Sequence, residues 1–172
     1  MGSTLMNTVL IPIRSTSLEQ MSSTDSAILL GNARLLQRAT EPRQTDTLLR
    51  GKKLALVCDS EEGEDAILFR SAAAQLGAHV SHIRPRLSDL RDPGVLQHTA
   101  RMLGRLYDGI ECQGLPPTMV EAVGREAGVP VYDGLASAGH PTARLAALLD
   151  GDEAPGRLRQ LVLQTVLLST LA

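Results

Sequence analysis

The feature that most constrains the fold is a regular alternation that begins at Lys53. Short apolar runs, each long enough for a buried strand, are separated by segments in which apolar residues recur with a helical period. The runs cover 53 to 58, 79 to 83, 108 to 112 and 129 to 132, and the helical segments cover 64 to 77, 93 to 107, 117 to 127 and 141 to 149. Strands that alternate with helices are typical of parallel sheets joined by right-handed crossovers. We therefore predict an α/β domain with a small parallel sheet of about four strands and helices on both faces.

The flanking segments have different characters. Residues 1 to 22, rich in Ser, Thr and Met, are predicted to be an N-terminal arm or tail. The domain is predicted to span 23 to 149, starting with a helix that Ser23, Thr24 or Asp25 caps and that ends near Ala39, before Pro42. Residues 150 to 156 form a polar turn, and residues 157 to 172 form a helix that is apolar around most of its circumference beyond Leu161. Because such a helix must be covered by protein, it packs on the domain, on a partner, or on both.

Composition excludes several classes of function. The 17 basic and 19 acidic residues give a net charge of only -2, which does not favour nucleic acid or an anionic membrane. One Phe, two Tyr and no Trp leave no platform for stacking bases. No apolar run reaches the roughly 20 residues of a membrane span, and the N-terminus does not resemble a secretory signal, so we expect a cytoplasmic protein.

The two cysteines are predicted to be structural. Cys58 and Cys112 each end an apolar run and have no nearby Cys or His with metal-site spacing. We expect both to be small buried apolar side chains, and we expect no metal and no cofactor.

The junction after the first predicted strand is unusually acidic. Open α/β sheets bind ligands where a strand leads through a loop to a helix N-terminus, and that position normally attracts an anion. Here seven positions carry five carboxylates: Asp59, Glu61, Glu62, Glu64 and Asp65. Two interpretations follow. The loop is a solvated helix start, or it is a pocket that takes a cation or an amine, with Cys58, Asp59, Gln113 and His140 nearby.

Three blocks of sequence resemble a known family. His98 to Ile110, Val129 to Leu135 and His140 to Leu149 closely resemble the carbamoyl-phosphate domain of ornithine carbamoyltransferases, and Leu49 to Leu56 and Ala73 to Ala78 fit the same register. The last helix is similar to the C-terminal helix that, in this family, returns from the amino-acid-binding domain. The resemblance implies that the turn at 150 to 156 replaces that second domain.

Most family ligand contacts are changed in this sequence. The family's phosphate loop, Ser-Thr-Arg-Thr-Arg, corresponds to Glu62-Gly63-Glu64-Asp65-Ala66, and the family's Arg-Gly or Arg-Thr after the third strand corresponds to Gln113-Gly114. The family's His-Pro-x-Gln keeps His140 and Pro141 but has Ala143 for Gln. The remnant pocket therefore comprises Glu62, Gly63, Glu64, Asp65, Gln113 and His140, with no residue predicted to be catalytic. His140 either polarises a carbonyl group, as in the family, or starts a helix together with Pro141.

The resemblance also implies an oligomer. Family carbamoyltransferases are trimers built through this domain, so we expect a homotrimer. A charged segment framed by Pro85 and Pro93 corresponds to the family loop that reaches a neighbouring subunit; it is either a subunit contact or a solvated connection, and it contains Arg84, Arg86, Asp89, Arg91 and Asp92.

Three functions remain as hypotheses. The first is a pseudoenzyme that serves as a scaffold or regulatory subunit, associated with a full-length carbamoyltransferase or another metabolic enzyme. The second is a small-molecule or cation binding module that uses the acidic pocket. The third is carbamoyltransferase activity that appears only when a partner chain completes the site. Whether the chain is an enzyme stays open, with the non-catalytic interpretation favoured.

Overall fold

The centre of the fold is a four-stranded parallel sheet. The computed structural model describes residues 21–38 and 45–172. The strands lie in the order β2-β1-β3-β4 and are all parallel, with β1 Lys53–Val57, β2 His79–Ile83, β3 Gly109–Cys112 and β4 Val131–Asp133. The predicted parallel sheet is therefore confirmed. Strand β4 begins two residues later than predicted, since Pro130 has no N–H for the ladder, although its carbonyl accepts from Ile110 N at 2.9 Å.

Helices occupy the segments between the strands. Their bounds are α1 Ser23–Arg38, α2 Glu64–Gln75, α3 Leu87–Leu90, α4 Pro93–Leu106, α5 Pro117–Ala127, a 3₁₀ helix Pro141–Leu148, and α6 Pro155–Leu171. Three predictions need correction. The segment after Pro141 is a 3₁₀ helix, the segment between Pro85 and Pro93 contains the short helix α3, and the turn is shorter than 150 to 156 because Pro155 and Gly156 already belong to α6. Pro suits a first helical position, where its missing N–H would have no helical partner.

Short sequence signals define several helix ends. Asp92 caps α4, with Oδ1 accepting from Gly94 N at 2.8 Å and Val95 N at 3.1 Å. Gly128 ends α5 with a positive φ of 71°, a conformation that glycine adopts without strain. At α1 the capping residue is Ser22, one residue before the predicted choices, because its Oγ accepts from Asp25 N at 3.1 Å. Residues 1–20 of the predicted arm or tail at 1 to 22, and Pro42, lie outside the described residues.

The sheet separates two hydrophobic cores. Side chains along β1 alternate, so Leu54 and Leu56 face α1, α2 and α6, whereas Ala55 and Val57 face α4 and α5. Helix α6 is buried continuously from Leu161 to Leu168 in the first core, where it contacts α1, α2 and the 3₁₀ helix. The helices therefore cover both faces, and the last helix packs on the domain. Cys58 and Cys112 are buried, one in each core, as predicted.

None of the helices within the described ranges combines the length and the apolar character needed to cross a lipid bilayer.

Candidate functional site

The candidate site lies at the carboxyl edge of the sheet. Four connections leave this edge, and three of them carry or adjoin the predicted positions: the loop from β1 to α2, the turn at Gln113 and Gly114 after β3, and the segment from Gly134 to His140 after β4. The fourth leads from β2 to α3. The structure therefore places all six predicted remnant positions at one edge of the sheet, where ligands bind in open α/β folds. Four of them lie on connections, and Glu64 and Asp65 lie in the first turn of α2. Gly63 is the N-cap of α2 and provides no side-chain hydrogen bond to the helix start.

Two carboxylates of the acidic loop are paired with arginines. Asp59 Oδ1 lies 3.0 Å from Arg84 Nε, and Glu61 Oε2 lies 2.6 Å from Arg70 Nη2. The hydrogen bond from Arg70 lowers the pKa of Glu61. Glu62 and Glu64 are exposed, and neither forms an ion pair with any other described residue. The outer part of the loop therefore presents uncompensated negative charge to solvent.

The inner part of the loop faces a guanidinium group that sequence analysis did not single out. Arg159 lies in the second turn of α6. Burial lowers its pKa, and the nearby carboxylate of Asp65 raises that pKa by a smaller amount. Arg159 Nη2 donates to the carbonyl oxygens of Ala136 and Ser137 at 3.1 and 3.0 Å. Its Nη1 is buried and has no hydrogen-bond partner among the residues that the structure describes. No local pattern indicates this role, because only the packing of α6 brings Arg159 to the sheet edge.

His140 caps the 3₁₀ helix. Its Nδ1 accepts from Thr142 N at 3.2 Å and lies 2.8 Å from Thr142 Oγ1. Burial lowers the pKa of His140 to about 4, and the charge of Arg159 contributes in the same direction. The ring is therefore neutral at pH 7, and because Nδ1 accepts, the proton resides on Nε2. This geometry is that of a helix start, and it leaves one N–H as the donor at the remnant pocket.

Glu111 is a second residue that sequence analysis missed. Its side chain is fully buried in β3, where Oε1 accepts from Leu135 N at 2.9 Å and Oε2 accepts from Ala136 N at 3.1 Å. The amide of Gln113 donates to the same carboxylate at 3.4 Å. Burial raises the pKa of Glu111 to about 8, although the hydrogen bonds favour the ionised form. The sequence signal that could have identified Glu111 is the presence of a Glu within an otherwise apolar strand, Gly109–Cys112.

The segment after β4 is held from both sides by side chains, those of Glu111 and Arg159. Glu111 binds its N–H groups at Leu135 and Ala136, and Arg159 binds its carbonyl groups at Ala136 and Ser137. Gln113 is engaged with Glu111. The polar groups at this edge therefore mainly fix backbone, and within the described ranges no group of three His, Cys, Asp or Glu side chains converges in a way that could hold a metal ion.

Comparisons with known proteins agree with this architecture. Residues 14–153 match the model of the aspartate/ornithine carbamoyltransferase, carbamoyl-P binding domain. The chain is 38% identical to the ornithine carbamoyltransferase of Cutibacterium acnes over 133 residues, which cover 77% of this chain and 40% of the relative. An ornithine carbamoyltransferase of Actinobacillus pleuropneumoniae is 36% identical over the same length. The chain thus spans about 40% of the length of the curated relatives that it matches.

Solved structures that resemble this chain are also carbamoyltransferases. The ornithine carbamoyltransferase of Pyrococcus furiosus superposes with a TM-score of 0.65 at 27% identity, covering 81% of this chain and 44% of that one. The catalytic subunit of M. jannaschii aspartate transcarbamoylase shares the fold, with a TM-score of 0.61 at 21% identity, covering 81% of this chain and 44% of that one. On the match over residues 14–153, this chain belongs to the aspartate/ornithine carbamoyltransferase family, and the matched part is its carbamoyl-phosphate-binding domain.

Proposed function

We propose that this chain is a non-catalytic member of its family, a pseudoenzyme that acts as an oligomeric scaffold or regulatory subunit. The observation that carries the proposal is the charge at the start of α2. Glu62, Glu64 and Asp65 occupy the part of the loop where the family resemblance calls for phosphate-binding residues. The guanidinium groups of Arg70 and Arg84 do contact this loop, but they are already paired with its carboxylates.

The loss of phosphate affinity is expected to be large. Hydrogen bonds to charged groups contribute about 1.5 to 3 kcal/mol each. Replacing two loop arginines therefore weakens phosphate binding by roughly 10² to 10⁴-fold, since 1.4 kcal/mol corresponds to a factor of ten. Repulsion between the bound dianion and the three carboxylates weakens it further.

The connection after Leu149 supports the same proposal. The resemblance implies that family members have an amino-acid-binding domain between this point and the last helix. Here residues 150–154 lead directly to α6, which packs on α1 and α2. We propose that this connection replaces the second domain, so that this part of the chain supplies no site for the acceptor amino acid.

The decisive experiment measures carbamoyl phosphate binding. We expect about 1 mM carbamoyl phosphate to leave the melting temperature unchanged, and we expect no carbamoylated product from ornithine or aspartate. A matched variant restores the first four family residues, including one of the two arginines, with Glu62→Ser, Gly63→Thr, Glu64→Arg and Asp65→Thr. Ala66 is left unchanged because it is buried. The variant is expected to gain a measurable thermal shift. A saturable shift or turnover with the natural chain would overturn the proposal.

The scaffold role is tested by mass and by co-purification. We propose a homotrimer, which would give light-scattering masses of three times the 18.4 kDa chain at micromolar concentration. A monomer mass would contradict this. A full-length carbamoyltransferase or another metabolic enzyme is the partner expected to co-purify. Activity that appears only in the presence of that partner would instead favour a site completed by a second chain.

A second candidate function is binding of an amine or a cation by the acidic loop. It is favoured by the exposure of Glu62 and Glu64 and by their lack of ion-pair partners among the described residues. Calorimetry with spermidine, arginine and divalent cations tests it. A saturable signal that Glu62→Gln with Glu64→Gln abolishes would support this function, whereas no signal would leave the loop as a solvated helix start.

A further inference from the structure

A cavity lies between the sheet and the layer formed by α4 and α5. Its volume is about 310 Å³, and its floor includes Val57, Ile83 and Cys112, which are the last residues of β1, β2 and β3. Helix α2, which follows the acidic loop, packs on the opposite face of the sheet. The cavity is therefore separate from the remnant carbamoyl-phosphate pocket.

The packing of α4 against α5 explains the space. The helices touch backbone to backbone near their C-terminal ends, since a Cβ on Gly104 would lie 1.7 Å from the carbonyl oxygen of Ala127. Away from this backbone contact, Leu96 and Ala100 of α4 and Val123 of α5 line the cavity. Leu96 remains 8% exposed and Val123 6% exposed, so both keep some accessible surface beside this space.

The lining determines what can occupy the cavity. Most of its walls are aliphatic, and an ordered water molecule needs two to four polar partners, which such walls do not supply. An apolar ligand body fits these walls better. Because benzene occupies a cavity of about 150 Å³, a volume of 310 Å³ accommodates roughly ten to twelve non-hydrogen atoms.

Three charged residues, Arg84, Arg86 and Asp89, are among those that line the cavity, and all three are exposed to solvent. Arg84 is bound to Asp59, which lies outside the lining, at 3.0 Å. Arg86 is exposed, and its guanidinium group has no hydrogen bond or ion pair within the described part of the chain, although its carbonyl oxygen accepts from Asp89 N and Leu90 N. A guanidinium group in this position can bind a carboxylate through two parallel hydrogen bonds.

We propose that this cavity binds an anionic amphiphile, namely a medium-chain carboxylate whose apolar tail of about ten carbons lies between the sheet and α4 and whose head group binds Arg86. This inference is independent of the proposed loss of carbamoyl phosphate binding, since no residue of the acidic loop or of the β4 to 3₁₀ segment lines the cavity.

Decanoate is the test ligand, and isoleucine methyl groups are the reporters. Ile83 and Ile110 line the cavity, whereas Ile28 in α1 and Ile67 in α2 lie away from it. In protein labelled at isoleucine methyl groups, decanoate is expected to shift the NMR signals of Ile83 and Ile110 saturably, with a Kd on the order of 100 μM, and to leave Ile28 and Ile67 unchanged. No saturable shift at about 1 mM, or equal shifts at all four residues, would overturn the proposal.

Two variants test separately how the tail and the head group of the ligand contribute to binding. Ala100→Leu fills the cavity and is expected to abolish binding, with circular dichroism as the check that the variant folds. Arg86→Ala is expected to weaken decanoate about tenfold, as loss of one charged contact does, whereas Arg105→Ala, at the far end of α4, leaves binding unchanged. Decanol is expected to bind more weakly than decanoate. Equal affinity for both, or an unaltered Kd in Arg86→Ala, would overturn the assignment of the anionic head group.

Discussion

At the residue scale, the unusual group is a carboxyl side chain inside a sheet. Glu111 is fully buried yet accepts hydrogen bonds from the N–H groups of Leu135 and Ala136. Removing a carboxylate from water is unfavourable unless its oxygens are hydrogen-bonded, and these bonds supply that compensation. Glu111 thereby joins β3 to the segment that also binds Arg159.

Glu111 is expected to make stability depend on pH. Its folded pKa of about 8 lies above the ordinary value of 4.5, so the folded state binds the proton more tightly than the unfolded state. The free energy of unfolding therefore falls as pH rises from about 4.5 to 8, by ~2 to 5 kcal/mol. In Glu111→Gln this dependence is expected to disappear. The variant is also expected to be less stable than the natural chain at pH 5 by about 1 to 3 kcal/mol, because its amide cannot accept from both N–H groups.

Denaturant unfolding of both proteins between pH 4.5 and 9 measures these effects. Parallel stability profiles for the natural chain and Glu111→Gln would show that another group is responsible.

Burial is the main cause of the low pKa of His140, and Arg159 is expected to lower this pKa further. Its positive charge disfavours the protonated ring, so Arg159→Met should move the pKa of His140 upward from about 4. Arg157→Met is the matched control, since Arg157 is exposed on the same helix and instead contacts Gln75 and Gln160. NMR titration of the histidine ring measures both variants. A similar change in the two would mean that general destabilisation, and not the local charge, is the cause.

At the scale of elements, the layer formed by α4 and α5 depends on one close backbone contact. Gly104 permits it, because any side chain there would meet the carbonyl of Ala127. Elsewhere the two helices are joined by Arg101 Nε, which lies 3.0 Å from Glu126 Oε2. Arg101 is largely exposed, so this ion pair contributes little, and close packing at Gly104 determines the helix spacing.

Two glycine-to-alanine substitutions are expected to have opposite effects. Gly104→Ala places a Cβ 1.7 Å from a backbone oxygen, so the helices must separate, and we expect a loss of roughly 2 to 4 kcal/mol in the free energy of unfolding. Gly124→Ala meets only an ordinary contact at 3.9 Å, and the better helix propensity of alanine should give a gain of about 0.5 to 1 kcal/mol. Urea unfolding measures both, and equal destabilisation would contradict the role of Gly104.

At the scale of the whole molecule, α6 completes one of the two cores. Leu161 to Leu168 are buried against α1, α2 and the 3₁₀ helix, so the last segment of the described chain supplies the interior of the first core. The amide of Gln164 donates to Ala72 O at 3.2 Å and to Gln75 Oε1 at 3.2 Å, which orients α6 on α2. The domain is therefore expected to unfold as one unit that includes α6.

Leu167→Ala tests this expectation. Leu167 is fully buried in α6, and its truncation is expected to lower the free energy of unfolding by about 2 to 5 kcal/mol. Leu148→Ala serves as the control, because Leu148 is 54% exposed and should change stability by less than about 0.5 kcal/mol. Thermal unfolding followed by circular dichroism distinguishes them. A Leu167→Ala protein as stable as the control would mean that α6 is not part of the cooperative core.

The amino-acid sequence by itself determined the α/β architecture, the parallel strands and most helix bounds, because these depend on local periodicity and on residues such as Asp92 and Gly128. It also determined the family, whose motifs are contiguous blocks. Only the tertiary structure decided the environments of Glu111 and Arg159. Glu111 meets partners 24 and 25 positions away, and Arg159 meets carbonyls 22 and 23 positions away. Burial and long-range pairing of this kind arise from packing, which no local pattern records.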